Sequence, residues 1–276
     1  MKKIILIYLL FHSLWVQAEI LKTAFYSAQA LEDSQLIVKF TNGRIGYLSG
    51  DKKHLKNKIS RLAENQMVEV ELDKEMNLVA IYSLGLKQSK SFTDTPSLSL
   101  FRPDYSPTVL PTFSHAMTIF SRLNSSYGRL SECSNRAHIW AYEESKNHGI
   151  KSEKVYVFFT ASYINRFRFK WWYHVAPLVS VQIGNSVEKF VLDYMFGHQP
   201  LSIKEWTDKF VFTQRTCKAT SRFSEYDVNP QTEDCYLMID TMYTWNPIDL
   251  SNQERSHYVK KEFSRSEIWA AYEQAF

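Results

Sequence analysis

Apolar residues recur at two spacings along this chain of 276 residues. Between Glu19 and about Gln88, the runs Gln35–Phe40, Arg44–Leu48, Met67–Leu72 and Leu78–Leu84 have the composition of strands. Asn42-Gly43 predicts a tight turn between the first two, and Asp73 to Asn77 a hairpin loop between the last two. Lys53 to Asn65 has helical spacing instead, with Leu55, Ile59 and Leu62 on one face. A small α+β unit follows from this alternation.

Beyond residue 112 the same reasoning predicts a second, larger unit. Phe113–Arg122 reads as a helix, and Asn135–Lys146 as a better one, closed by His148-Gly149. Three strands follow: Lys154–Thr160, Trp172–Ile183 and Glu188–Met195, the last two joined by a turn at Gly184-Asn185. Ser202–Phe210 is a short helix with Trp206 inward, and Tyr236–Tyr243 a strand expected to pair with the central sheet. Ser264–Gln274 is a terminal helix that packs Ile268, Trp269 and Tyr272. The expected class is α+β: an antiparallel sheet packed against the helix that opens near Cys133, behind a small α+β N-terminal domain.

The segments outside these units differ in character. Lys2 and Lys3 precede a mostly apolar run ending in Val16-Gln17-Ala18, the pattern of an export signal. That run is about a dozen residues, short of the roughly twenty a spanning helix needs. Lys90 to Pro111 is rich in Ser, Thr and Pro, which suits an extended, protease-accessible linker. The organisation is therefore a signal peptide over 1–18, an N-terminal region over 19–89, a linker over 90–111 and a larger domain over 112–276. The mature protein is expected outside the cytoplasm, periplasmic or secreted, with no stable membrane insertion.

Charge narrows the partners. Removing Lys2 and Lys3 takes two charges from the formal +4, leaving a chain near balance. Long-range attraction to nucleic acid is not expected, and no basic run interleaved with aromatics suggests it. No metal-ligand spacing, phosphate-binding glycine pattern or organic cofactor motif stands out.

Three cysteines point to chemistry. Cys217 and Cys235 flank a polar loop and form the natural disulfide pair, leaving Cys133 free. The alternative is that no pair forms and Cys133 is a small buried hydrophobe. A thiol in the first turn of a helix faces unpaired N–H groups and the positive end of the dipole, both of which favour the thiolate. Ala137, on the same face, would let that helix seat closely against a sheet. If the Gly184-Asn185 turn is a two-residue loop, Ile183 opposes Ser186 and His174 falls opposite Met195. Asp193 then projects from the same face as His174, close enough to orient its ring. A Cys133–His174–Asp193 triad is the chemistry this spacing allows.

The same residues resemble a known family. Cys133 with Arg136-Ala137-His138, Trp172-Tyr173-His174-Val175-Ala176 with Leu178-Val179-Ser180, and Asp193 with Pro200 and Trp206 beyond it are similar to segments of bacterial protein-glutaminases. These secreted enzymes deamidate glutamine side chains in intact proteins. The resemblance spans roughly Ser131 to Phe210 and implies Cys133 as nucleophile, His174 as general base and acid, and Asp193 as the residue orienting His174. It also implies a core resembling those of transglutaminases and papain. Trp171, Trp172 and Tyr173 are candidates to line a slot for the substrate side chain. Family members are made as precursors, so the resemblance implies that residues 19–89 are a pro-domain removed by an activating protease; the alternative is a permanent substrate- or wall-binding module. Protein or peptide substrates with exposed glutamine are the implied partners, and no cofactor is implied. Ser134-Asn135 after the cysteine and Tyr194 after the aspartate depart from the family pattern. Alternatives are a transglutaminase or cysteine peptidase on the same triad, or a non-catalytic exported binding protein.

Overall fold

A computed structural model describes residues 18–31, 35–84, 105–125, 132–212, 217–227 and 235–275. The export-like segment up to residue 17 and linker residues 90–104 lie outside them. In chain order the elements are β1 Glu19–Ala30, β2 Leu36–Phe40, β3 Ile45–Leu48, α1 Lys53–Ile59, β4 Met67–Leu72, β5 Leu78–Ser83, β6 Val109–Leu110, α2 Phe113–Arg122 and α3 Cys133–His148. Then come β7 Glu153–Phe159, α4 Ala161–Phe167, β8 Tyr173–Ile183, β9 Ser186–Val191, β10 Leu201–Ser202, α5 Ile203–Thr207, β11 Lys218–Ala219, α6 Phe223–Asp227, β12 Cys235–Thr241, α7 Pro247–Ser256 and α8 Arg265–Ala275.

Two sheets result. The N-terminal one has the order β3-β2-β1-β4-β5 and is antiparallel throughout. Its centre is β1, a strand with no counterpart among the sequence expectations. The second has the order β10-β9-β8-β7-β12-β11, with β6 paired in parallel to the far end of β8. Around its centre β9, β8, β7 and β12 run antiparallel, as expected for the α+β class.

Local chemistry explains most boundaries. Gly149 takes the left-handed conformation at φ 67° and accepts the end of α3, the role its position after His148 predicts. The β8–β9 hairpin is the two-residue loop, with Ile183 opposite Ser186. Thr160 stops β7 by capping α4, its hydroxyl accepting from the Tyr163 N–H. The strand expected over Lys154–Thr160 ends within one residue of this point, while α4 has no counterpart among the sequence expectations.

Three expectations need correction. The first helix ends at Ile59 rather than Asn65, because the chain turns through Ser60 to Leu62 and Asn65 adopts φ 67°. β9 ends at Val191 rather than Met195, so Asp193 lies in a turn beyond the strand. Trp269 on α8 does not pack inward; it is 67% exposed, while Ile268, Ala271 and Ala275 form the buried face.

The apolar interior is continuous across both sheets, running from Val38, Phe40 and Val70 through Tyr26 and Trp172 to Phe158, Phe159 and Trp206. A second cluster, including Ile119, Ile139, Trp140, Val179 and Ala271, joins α2, α3 and α8 to β8. Cys217 and Cys235 are bonded as expected, tying the start of β11 to that of β12. Among the described residues, no helix is long and apolar enough to cross a membrane.

Candidate active site

Cys133 is the first residue of α3 and the free, partly buried cysteine among the described residues. α3 lies against β8, which brings Cys133 to hydrogen-bond contact with His174. Glu132, the N-cap, is extended (φ −69°, ψ 150°) and its side chain does not cap the first turn. The N–H groups beside the sulfur are therefore not taken up by a capping carboxylate.

His174 is the second residue of β8 and 5% exposed. Its Nε2 donates to Asp193 Oδ2 at 2.6 Å. With Nε2 committed, Nδ1 is the nitrogen left to meet Cys133. Trp171 lies face-on to the ring at 6.1 Å, and Phe196 meets it edge-on at 5.1 Å. Burial alone would push the His174 pKa down. The Asp193 carboxylate and Cys133 outweigh it and raise the ring to about 9.

Asp193 is 3% exposed and fully engaged. Besides His174, its Oδ2 receives Trp206 Nε1 at 2.9 Å, and its Oδ1 receives the Met195 N–H at 3.1 Å. Burial would raise its pKa. His174, the Trp206 indole and the nearby Arg136 guanidinium instead hold it below the usual carboxylate range. The sequence placed Trp206 inward but gave no sign of this hydrogen bond. In the sequence, Arg136 stands out only as part of the motif that follows Cys133.

The N-terminal sheet meets this site through its β2–β3 turn. Trp172 N–H donates to Gly43 O at 2.9 Å, Trp172 Nε1 to Phe40 O at 2.7 Å, and Tyr173 Oη to Thr41 O at 3.0 Å. Arg44 forms an antiparallel bridge with Trp171. Asn42 hydrogen-bonds Glu132, the residue before Cys133. Trp172 and Tyr173 are buried beneath this turn, whereas Trp171 keeps partial access. His138 lies apart, its Nδ1 2.7 Å from Lys154 Nζ in the interior behind α3.

The chain is similar to known proteins over this region. A family model described as "Glutaminase" matches residues 114–210, which contain Cys133, His174 and Asp193. A crystal structure of a mutant pro-protein-glutaminase is 14% identical and superposes with a TM-score of 0.50, covering 83% of this chain and 85% of that one. A second pro-protein-glutaminase crystal structure is 15% identical, with a TM-score of 0.49 and coverages of 83% and 84%. The protein-glutaminase of Chryseobacterium proteolyticum, solved by NMR, is 18% identical, with a TM-score of 0.35 over 50% of this chain and 75% of that one. No curated protein sequence matches the chain. The family match lies over the helix, strand and turn that supply Cys133, His174 and Asp193, so this part of the chain is similar to the family described as "Glutaminase".

Proposed function

We propose that this chain is an exported hydrolase that converts glutamine side chains of proteins to glutamate, releasing ammonia. The observation that carries the reading is the relay Cys133–His174–Asp193, a partly buried thiol hydrogen-bonded in series with a buried histidine and aspartate within the matched residues. The Cys133 thiolate attacks the carboxamide carbon. Main-chain N–H groups at the start of α3, that of Cys133 included, stabilise the oxyanion. Protonated His174 gives its proton to the departing nitrogen, which leaves as ammonia and a thioester remains. His174 then takes a proton from water, the hydroxide adds to the thioester carbon, and collapse returns glutamate and Cys133. Asp193 keeps the ring oriented through both halves and favours its protonated form in the first. Trp171, with Trp172 and Tyr173 once uncovered, lines the slot for the glutamine side chain.

Residues 19–89 act in this reading as a pro-domain. The seating of Thr41 to Arg44 along Trp171–Tyr173 and of Asn42 on Glu132 supports it, because substrate must approach through the same ground. A protease cutting within the linker is the implied activator. The Cys217–Cys235 disulfide supports an oxidising compartment, consistent with export.

The test is ammonia release from a glutamine-containing protein, using the full chain, the chain cut in the linker and cleared of its N-terminal fragment, and a Cys133→Ala variant. Release by the cleared form, little by the full chain and none by the variant is expected. Amine incorporation or main-chain cleavage in place of ammonia release would redirect the reading to a transglutaminase or a peptidase. Inertness of Cys133 to iodoacetamide in the cleared form would leave a binding protein.

A further inference from the structure

Lys39 belongs to β2, yet its ammonium end lies among side chains of the larger domain. The residue is 2% exposed. Its Nζ donates to Tyr226 Oη at 2.9 Å and lies over two aromatic rings, 4.9 Å from the centroid of Tyr226 and 5.5 Å from that of Trp172. Burying an ammonium group is costly unless acceptors and ring faces replace its water. A hydroxyl oxygen with two ring faces is a recognised replacement.

The Tyr226 wall is held by contacts within the larger domain, and Trp172 by contacts to both units. Tyr226 Oη donates to Phe159 O at 3.0 Å, which leaves the same oxygen able to accept from a cation. The Tyr226 ring stacks on Phe158 at 5.0 Å and on Trp172 at 6.2 Å, and Phe223 on the same short helix closes one side at 5.6 Å. Removing the N-terminal sheet takes away Lys39, the Tyr26 ring stacked on Trp172 and the acceptors Phe40 O and Gly43 O of Trp172, but leaves the Tyr226 contacts to Phe159, Phe158, Trp172 and Phe223. The cage also stands near the chemistry, because Trp172 is two residues from His174. β2 runs from Lys39 straight into the turn that places Asn42 on Glu132, beside Cys133. At about 3.3 Å per extended residue, the cage lies roughly 10 Å along the chain path from that point.

We propose that the vacated cage is a specificity subsite for a cationic side chain, an arginine or lysine of the substrate protein about three residues from the glutamine that reacts. This rests on the deamidase and pro-domain reading above. Lys39 holds the subsite in the uncut chain, and Tyr226 and Trp172 bind the substrate cation afterwards.

Peptides with one glutamine, and either arginine or its uncharged counterpart citrulline three residues before or after it, test this in the cut and cleared chain. On one side of the glutamine, the arginine peptide is expected to exceed the citrulline peptide about tenfold in kcat/KM. That ratio should fall severalfold in Tyr226→Phe and to about one in Tyr226→Leu. Equal kcat/KM within each pair overturns the subsite and leaves the deamidase reading intact. If no peptide releases ammonia, the deamidase reading falls and a second measurement decides the cage. In the full chain, Lys39→Ala opens it, and n-butylammonium is then expected to raise Tm where n-butanol does not. A shift of equal size with both, or with neither, overturns the inference.

Discussion

Trp206 Nε1 donates to Asp193 Oδ2 at 2.9 Å, onto the same oxygen that holds His174 Nε2 at 2.6 Å. One carboxylate oxygen thus anchors the histidine and is itself anchored by α5. Trp206→Phe keeps an aromatic ring in place but removes the donor. Loss of a buried hydrogen bond to a charged group should cost about 1.5–3 kcal/mol, read as a lowered Tm. The Asp193 carboxyl, held low partly by this indole, should rise in pKa. The acid limb of kcat/KM then moves to higher pH, and an unmoved limb would count against the role given to Trp206.

His174 should give the site a basic limit. The folded ring holds its proton to about 9, against 6.5 for an ordinary histidine. Its contribution to stability is therefore complete below pH 6.5 and is lost as pH rises from there to about 9. Activity that needs the protonated ring should fall over the upper end of that range. Thermal unfolding of parent and His174→Asn chains across pH 6 to 10 checks this: the gap between them should narrow as pH rises.

Glu132 should contribute in the opposite pH direction to an ordinary acid. Burial raises its carboxyl to about 7, against the lowering effects of the Asn42 hydrogen bond, Arg44 and Arg136. The folded chain thus binds this proton more tightly than the unfolded chain does. The stability it adds is whole below about 4.5, declines as pH rises and is gone above about 7. Glu132→Gln cannot ionise, so its Tm relative to the parent should climb between pH 5 and 7.5. A constant difference across that range would refute the assignment.

Gly43 is the position where the seam between the sheets tolerates no side chain. It adopts φ +86°, and a Cβ there would sit 3.2 Å from Tyr173 Cε1 and 3.4 Å from Tyr173 O. Gly43→Ala should lose about 1–3 kcal/mol in backbone strain and displaced contact. Because the strain falls on the turn covering the site, Cys133 in the full chain should alkylate with iodoacetamide faster, severalfold, than in the parent. An unchanged rate would show that this turn does not restrict access to the thiol.

Much of the site was legible because its residues obey strand parity and helix-end chemistry. The Gly184-Asn185 turn fixed the β8–β9 register, and the start of α3 was marked by Cys133 ahead of a helical run. Asp193 reached His174 by a different route from the one parity suggested. β9 stops at Val191, and a turn whose Gly197 N–H bonds back to Asp193 O carries the carboxylate in. The Trp206 bond joins residues on separate elements and has no local signature. Nor does Lys39, whose place on a strand gives no hint that its end crosses into another sheet. β1 was missed although it is the centre of its sheet, for its apolar residues mix with Lys22, Thr23, Ser27 and Gln29.

On the pro-domain reading proposed above, the unbroken interior from Val38 and Phe40 through Trp172 to Phe158 separates cutting from activation. A single nick in the linker severs the chain but leaves both halves glued by their greasy faces and by the main-chain bonds of residues 40–44. Catalytic turnover should therefore begin after a lag, set by digestion of the nicked fragment rather than by the first cut. A nicked complex that migrates as one particle on a sizing column, silent until the fragment is destroyed, is the storage form this architecture favours.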